Sequence, residues 1–289
     1  MSATAWTTHV TRVLAPNAGP MTLDGTNTYV VRAPGSDAAV IVDPGPADAG
    51  HLRTLVGTGR IEAILLTHQH LDHVEVAPEL HRATGAPVRA ALPELCIEGA
   101  PLVDGEIVRA GGCEIEILAT PGHSEDSISL RIAADAPIAE PDGAASPIPA
   151  ASSSAANGVI LTGDTILGRG TTVLLGGPTA LRDYLDSLER LAAYGDAVVL
   201  PGHGDPIASV RAAAEALIAH RRDRLDQIRS VLAEHALTPA DPRAADIVMD
   251  RLYADVPAGV RRPAALSVRS QLDYLIDAAD EHPVAGELP

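Results

Sequence analysis

Short apolar runs broken by Gly, Pro and Asp recur along the first two-thirds of the chain, and helical spacing of apolar positions dominates the last third. Thr28–Val31 and Ala39–Val42 read as strands, the second closed by the turn Asp43-Pro44-Gly45-Pro46. Ala47–Val56 suits a helix, and the apolar run Ile61–Leu66 a buried strand. Glu79–Thr84 continues as helix, and Val88–Ala91, Glu106–Val108, Cys113–Ala119 and Ser127–Ile132 as strands. Val159–Leu161 and Ala197–Leu200 complete the strands, with a helix at Pro178–Ala193 that places Leu181, Leu185, Leu188 and Leu191 on one face. Strands and helices interleaved in this way predict α/β layers.

Two features divide the chain further. Residues 133–158 are rich in Ala, Pro and Ser and lack periodicity, so they read as a flexible surface loop inserted between strands. From about residue 209 the pattern is helical: Val210–His235, Ala244–Tyr253 and Arg262–Ala279. The expected organisation is therefore an α/β domain over residues 1–208 and a small helical domain over 209–289.

Composition narrows the partners. The formal charge is −17, and all 21 basic residues are Arg. Such an acidic chain lacks the clustered cations that hold polyanions non-specifically, and few aromatics leave few platforms for stacking bases. No run approaches the roughly 18 apolar residues of a membrane span. The first residues lack a basic region followed by an apolar stretch, and Cys96 and Cys113 make no disulfide framework, so the expected compartment is the cytoplasm.

The chemistry concentrates in Thr67-His68-Gln69-His70-Leu71-Asp72-His73, directly after the strand Ile61–Leu66. His68 and His70, two apart on extended chain, project to one side, and Asp72 and His73 follow in the next turn. Imidazole and carboxylate ligands suit zinc, and also iron or manganese. Three more strand ends deliver His123 in Pro-Gly-His, Asp164 in Thr-Gly-Asp and His203 in Pro-Gly-His. In each, a glycine allows close backbone approach.

This pattern resembles the metallo-β-lactamase superfamily, whose His-x-His-x-Asp-His run followed by His, Asp and His is matched at every position. The resemblance implies a four-layer αββα sandwich with a dinuclear site at one edge. One metal is then held by His68, His70 and His123, and the other by Asp72, His73 and His203, with Asp164 as bridge. Two zinc ions are the expected cofactor. Paired cations acidify a bridging water and polarise the bond to be cleaved, with Asp72 placed to orient the nucleophile and carry its proton. Asp43 resembles the family's outer acid that fixes a ligand histidine, although a turn-forming Asp before Pro44-Gly45 would look the same.

Asp at the bridging place resembles the glyoxalase II and phosphodiesterase branches, whereas antibiotic-resistance lactamases usually carry Cys there. Asn17–Val30, Thr162–Val173, Pro201–His203 and the helical tail are similar to the β-lactamase-like protein 2 group, which has a C-terminal winged-helix-like domain. That group includes single-strand-selective endoribonucleases and polyketide thioesterases. The leading expectation is a hydrolase of a small ester, thioester or lactone. The alternative is an endoribonuclease acting on single-stranded RNA, with a β-lactamase or a non-catalytic binding protein ranked below both. Asn27 and Thr28 line the pocket or simply begin a strand. Arg169 meets a substrate anion or closes a surface turn. Substrate identity and oligomeric state are left open.

Overall fold

The computed structural model describes residues 3–137, 157–175 and 177–281. The expected insertion at 133–158 therefore falls largely on residues 138–156, outside the described residues. One sheet runs in the order β1 (Ala3–Ala5), β2 (Val10–Leu14), β3 (Asn27–Val31), β4 (Ala38–Val42), β5 (Arg60–Leu65) and β6 (Val88–Arg89). It is antiparallel as far as β4 and parallel from there to β6. The second sheet comprises β7 (Ile107–Ala110), β8 (Cys113–Ala119), β9 (Ile128–Ile132), β10 (Val159–Gly163) and β11 (Val198–Pro201), with β11 at one edge and β7 at the other. Its single parallel pair is β10 with β11.

The alternation of side chains along central strands shows why the layers stack. Val40 and Val42 of β4 face the second sheet, and meet Ile117, Leu130 and Leu161 in the core between the sheets. Ala39 and Ile41 point the other way, onto a core shared with Leu55 of α1 (Ala49–Val56) and Leu80 of α3 (Ala77–Thr84). Ile160 and Val199 of the second sheet likewise face outward, onto Leu181, Tyr184 and Leu188 of α4 (Ala180–Ala192). Strands buried on both faces need continuous apolar runs, and Ala38-Ala39-Val40-Ile41-Val42 is one. The result is helix, sheet, sheet, helix.

After α4 and β11 come α5 (Val210–Glu234), α6 (Ala244–Leu252) and α7 (Ala258–Glu281). Their apolar faces do not form a separate core: Ala214, Leu225, Val248, Val268 and Leu272 are continuous with Leu181 and Val199. Among the described residues no strand follows β11, so nothing there corresponds to the wing of a winged helix. Differences from the sequence reading lie at edges. The two N-terminal strands were not expected, the helix α2 (Leu71–Val74) lies inside the histidine run, and α7 starts at Ala258 instead of Arg262. Pro263 lies six residues into α7, where its missing N–H removes only a bond to the first turn.

Candidate metal centre

All seven expected ligands meet at one end of the sandwich, on loops that leave the ends of β5, β8, β10 and β11. His68 Nε2 and His123 Nε2 each lie 2.9 Å from His70 Nδ1. On the other side Asp72 Oδ2 is 3.1 Å from His203 Nε2 and 3.6 Å from His73 Nε2, and those two nitrogens are 3.3 Å apart. Asp164 stands between the groups, with Oδ1 3.5 Å from His73 Nε2 and Oδ2 3.4 and 3.7 Å from His203 and His123. Each triad, His68–His70–His123 and Asp72–His73–His203, can hold one metal ion.

The hydrogen bonds behind these side chains test whether a cation fits. His73 Nδ1 is 2.8 Å from Asp43 Oδ2, His123 Nδ1 is 2.7 Å from the Val173 carbonyl, and His203 Nδ1 is 3.1 Å from the Gly25 carbonyl. These partners accept only, so each Nδ1 must carry the hydrogen. Thr67 Oγ1 donates to Asp43 Oδ2 and so can only accept from His68 Nδ1, 3.0 Å away. Four imidazoles therefore turn Nε2, the nitrogen left to bind a metal, into the same space. A single N–H on His70 can serve only one of its two neighbours. The buried Asp164 Oδ1 has no hydrogen-bond partner at all. Imidazole nitrogens converging on an orphaned carboxylate oxygen form a donor set that fits divalent cations.

Asp43, which the resemblance offers as an outer acid, reaches a candidate ligand, His73. It is 1% exposed, adopts a left-handed φ of 50°, and accepts from Thr67 N and Oγ1 at 2.8 and 2.7 Å besides holding His73. One carboxylate thus orients His73 directly and His68 through Thr67. Asp43→Asn is expected to weaken metal binding about 10–100-fold, chiefly at the Asp72–His73–His203 triad, as read by competition with a chelator.

Asn27 and Thr28 stand behind the centre rather than in a pocket. Asn27 Nδ2 donates to the carbonyls of Pro201 and Gly204, clamping the loop on both sides of His203, and Thr28 donates to the Asp43 carbonyl. Arg169 forms a bidentate pair with Asp24 at 2.6 and 3.0 Å, both half exposed, and also lines the cavity beside the centre. Sequence reasoning assigned no role to Thr67 or Thr172, and left the charged cluster His220–Arg224 open between the rim of the site and a solvated helix face. Thr172 Oγ1 lies 2.8 Å from His123 Nδ1, and the buried Arg221 of α5 donates to the Thr172 carbonyl at 2.7 Å. Beside the centre a cavity of about 420 Å³ runs from His123 and Asp164 to α5, α7 and the segment between α6 and α7 that carries Tyr253 and Val256.

Comparison with known proteins settles the family. The model of the metallo-beta-lactamase superfamily matches residues 21–203. The chain belongs to this superfamily. It is 31% identical to a beta-lactamase-like protein 2 homolog of Caenorhabditis elegans, covering 95% of this chain and 86% of that one. A second relative, the atrochrysone carboxyl ACP thioesterase of Aspergillus fumigatus, is 30% identical over 76% of this chain, which spans 63% of its length. The fold matches a metallo-beta-lactamase family protein from Thermus thermophilus at a TM-score of 0.71, with 21% identity and 94% of each chain covered. The metallo-beta-lactamase fold implies divalent metal ions, in keeping with the donor set above.

Electrostatics around this superfamily site oppose one another. Burial pulls imidazole pKa values down and prevails at His68 and His70 and at His123, pushed down to about 4. At His203 burial is outweighed by the charge of Asp164 and by the hydrogen bonds that the ring donates to Asp164 and Asp72, which raise it to about 10, and His73 is raised too. Burial would raise Asp164, but His203 and His73 hold it well below the usual carboxylate range. Without metal, His203 keeps a proton at every pH below about 10. A metal-binding nitrogen must be bare, so loading at pH 8 expels that proton. Apparent metal affinity should then fall about ten-fold per pH unit between pH 9 and 7 for each proton expelled. Calorimetry in buffers of different ionisation enthalpy reads the release directly, and zero release would contradict it.

Proposed function

We propose that this chain is a dinuclear metal-dependent hydrolase acting on a small ester, thioester or lactone, with thioesters favoured. The observation that carries the reading is the pair of triads with Asp164 between them, opening onto a largely apolar cavity. The relation to a named thioesterase supports the choice of substrate. His68, His70 and His123 would hold one ion, Asp72, His73 and His203 the other, and Asp164 would bridge. Imidazole and carboxylate donors suit zinc, with iron or manganese decided by elemental analysis. When bound, such ions supply Lewis-acid polarisation and a water acidic enough to react near neutral pH.

The chain's own contribution is positional. Asp72 Oδ2, part-exposed at the mouth of the centre, orients the attacking water and holds its proton. The water oxygen joins the carbonyl carbon, the C–S bond breaks, and the departing thiolate receives the proton from Asp72. In this reading the C-terminal helices α5 and α7 wall the substrate site, in a cytoplasmic enzyme.

A purified sample tests this with a thioester panel and labelled single-stranded RNA side by side. Thioester turnover lost in Asp72→Ala, with RNA intact, is the expected result. RNA cleavage abolished by His68→Ala would favour the endoribonuclease instead. A preparation without transition metal, unaffected by Asp72→Ala, would sink both.

A further inference from the structure

The cavity beside the metal centre has a composition at odds with the rest of the molecule. The chain carries 38 acids against 21 arginines. Among the described residues that line the cavity, however, the only carboxylate is Asp164 at its metal end. The far wall is cationic, with Arg221 and Arg224 projecting from α5, while Arg169 on another side is already paired with Asp24. Between them lie apolar side chains such as Met21, Leu23, Val256 and Val260.

Two of these cations stand without an acid. Arg221 is 4% exposed, has its guanidinium 5.2 Å from the centre of the Tyr184 ring, and spends one donor on the Thr172 carbonyl. Arg224 is only partly buried and lies 4.9 Å over the Tyr253 ring. Neither has a carboxylate within ion-pair distance among the described residues, whereas Arg222, between them in sequence, reaches Glu189. Burying a cation without a counter-charge is unfavourable, and the aromatic faces offset it only in part. Tyr253 also holds the Arg224 fork in a fixed plane, as bidentate recognition of an anion requires.

We infer that this cavity is a subsite for an apolar substrate group bearing a carboxylate or phosphate, anchored by Arg224 with Arg221 supporting the positive wall. The inference rests on the thioester reading and deepens it by naming the substrate class. In a chain of net charge −17, general electrostatic attraction cannot draw in an anion, so selection must come from charges at the site itself. The anion could sit on the acyl group or on the phosphate of a carrier arm, and the same cations would serve either.

Three substrates separate the sources: octanoyl-N-acetylcysteamine (neutral), suberyl-N-acetylcysteamine (acyl carboxylate) and octanoyl-phosphopantetheine (carrier phosphate). At least one anionic thioester should exceed the neutral one in kcat/KM by about ten-fold, the size of one charge-assisted hydrogen bond. Arg224→Gln should bring that ratio to about two or below, and Arg224→Lys should retain part of it. Binding of the matching thioethers, which cannot be hydrolysed, is measured by calorimetry on the same proteins. Equal kcat/KM for all three substrates with equal thioether affinities, or a preference untouched by Arg224→Gln, overturns the subsite. Thioethers that discriminate while no thioester is cleaved would leave the subsite standing and overturn the thioesterase reading.

Discussion

Asp164→Ala is expected to leave neither triad tightly metallated and to lower kcat/KM by about a thousand-fold or more, roughly 4 kcal/mol of lost transition-state stabilisation. Among the described residues no other carboxylate stands between the two triads. Its Oδ1 approaches His73 and its Oδ2 both His203 and His123, while burial and the lack of any partner for Oδ1 leave it nothing else to do. Without it, five inward-facing imidazoles share only the charge of Asp72, at one edge. Asp164→Asn separates charge from packing: it keeps the shape but adds N–H donors where lone pairs already converge. Elemental analysis after dialysis gives the stoichiometry. Full metal content in both variants would show that the triads bind independently and that no bridge exists.

Gly202→Ala should disable the same centre without removing any ligand. A methyl group at that position would lie well inside van der Waals contact with Asp164 Oδ1, 2.8 Å from His73 Cε1 and 3.1 Å from the Gly163 carbonyl carbon. Neither neighbour can yield easily. His73 is tied to Asp43, and the Gly202 N–H donates to the Gly163 carbonyl at 2.8 Å, fastening the Asp164 and His203 loops together. Relief therefore requires two ligands to swing or the two loops to part. The expected result is loss of tight metal at the Asp72–His73–His203 triad, with destabilisation of about 1–3 kcal/mol from overpacking. Metal titration together with thermal melting checks both. Wild-type affinity in the variant would mean the loops are looser than their hydrogen bonds imply.

The candidate ligands were legible as a cluster because each sits within a few residues of a strand end that local pattern already marks. His68 to His73 follow the apolar run of β5, and His123, Asp164 and His203 follow β8, β10 and β11 after glycines. The layered fold was legible for the same reason, since strands buried on both faces leave continuous apolar runs. What could not be read was anything set by contacts across the chain. Arg221 reaches Thr172 from 49 residues away, and neither residue carries a local signal of that meeting. Asn27 looked like a strand entry because its clamp on the Pro201–Gly204 turn joins segments about 175 residues apart. β1 is three residues long, and β2 mixes Thr and Arg among its valines, so neither stands out by period. The cavity wall of α5 shows as an ordinary charged helix face until α6 and α7 fold against it.

Four imidazoles at the centre have their outward nitrogens committed to acceptors inside the protein. Their rotamers are consequently frozen when the chain folds, not when an ion arrives. Side-chain ordering is a large entropic penalty in any recognition event, and here it is met in advance by threonine, aspartate and carbonyl partners. An incoming ion finds donors that need not move, and it quenches a repulsion that the folded chain otherwise has to tolerate. Metal and fold are therefore thermodynamically linked at this edge of the sandwich, so that chelation loosens the strand ends as well as silencing the chemistry.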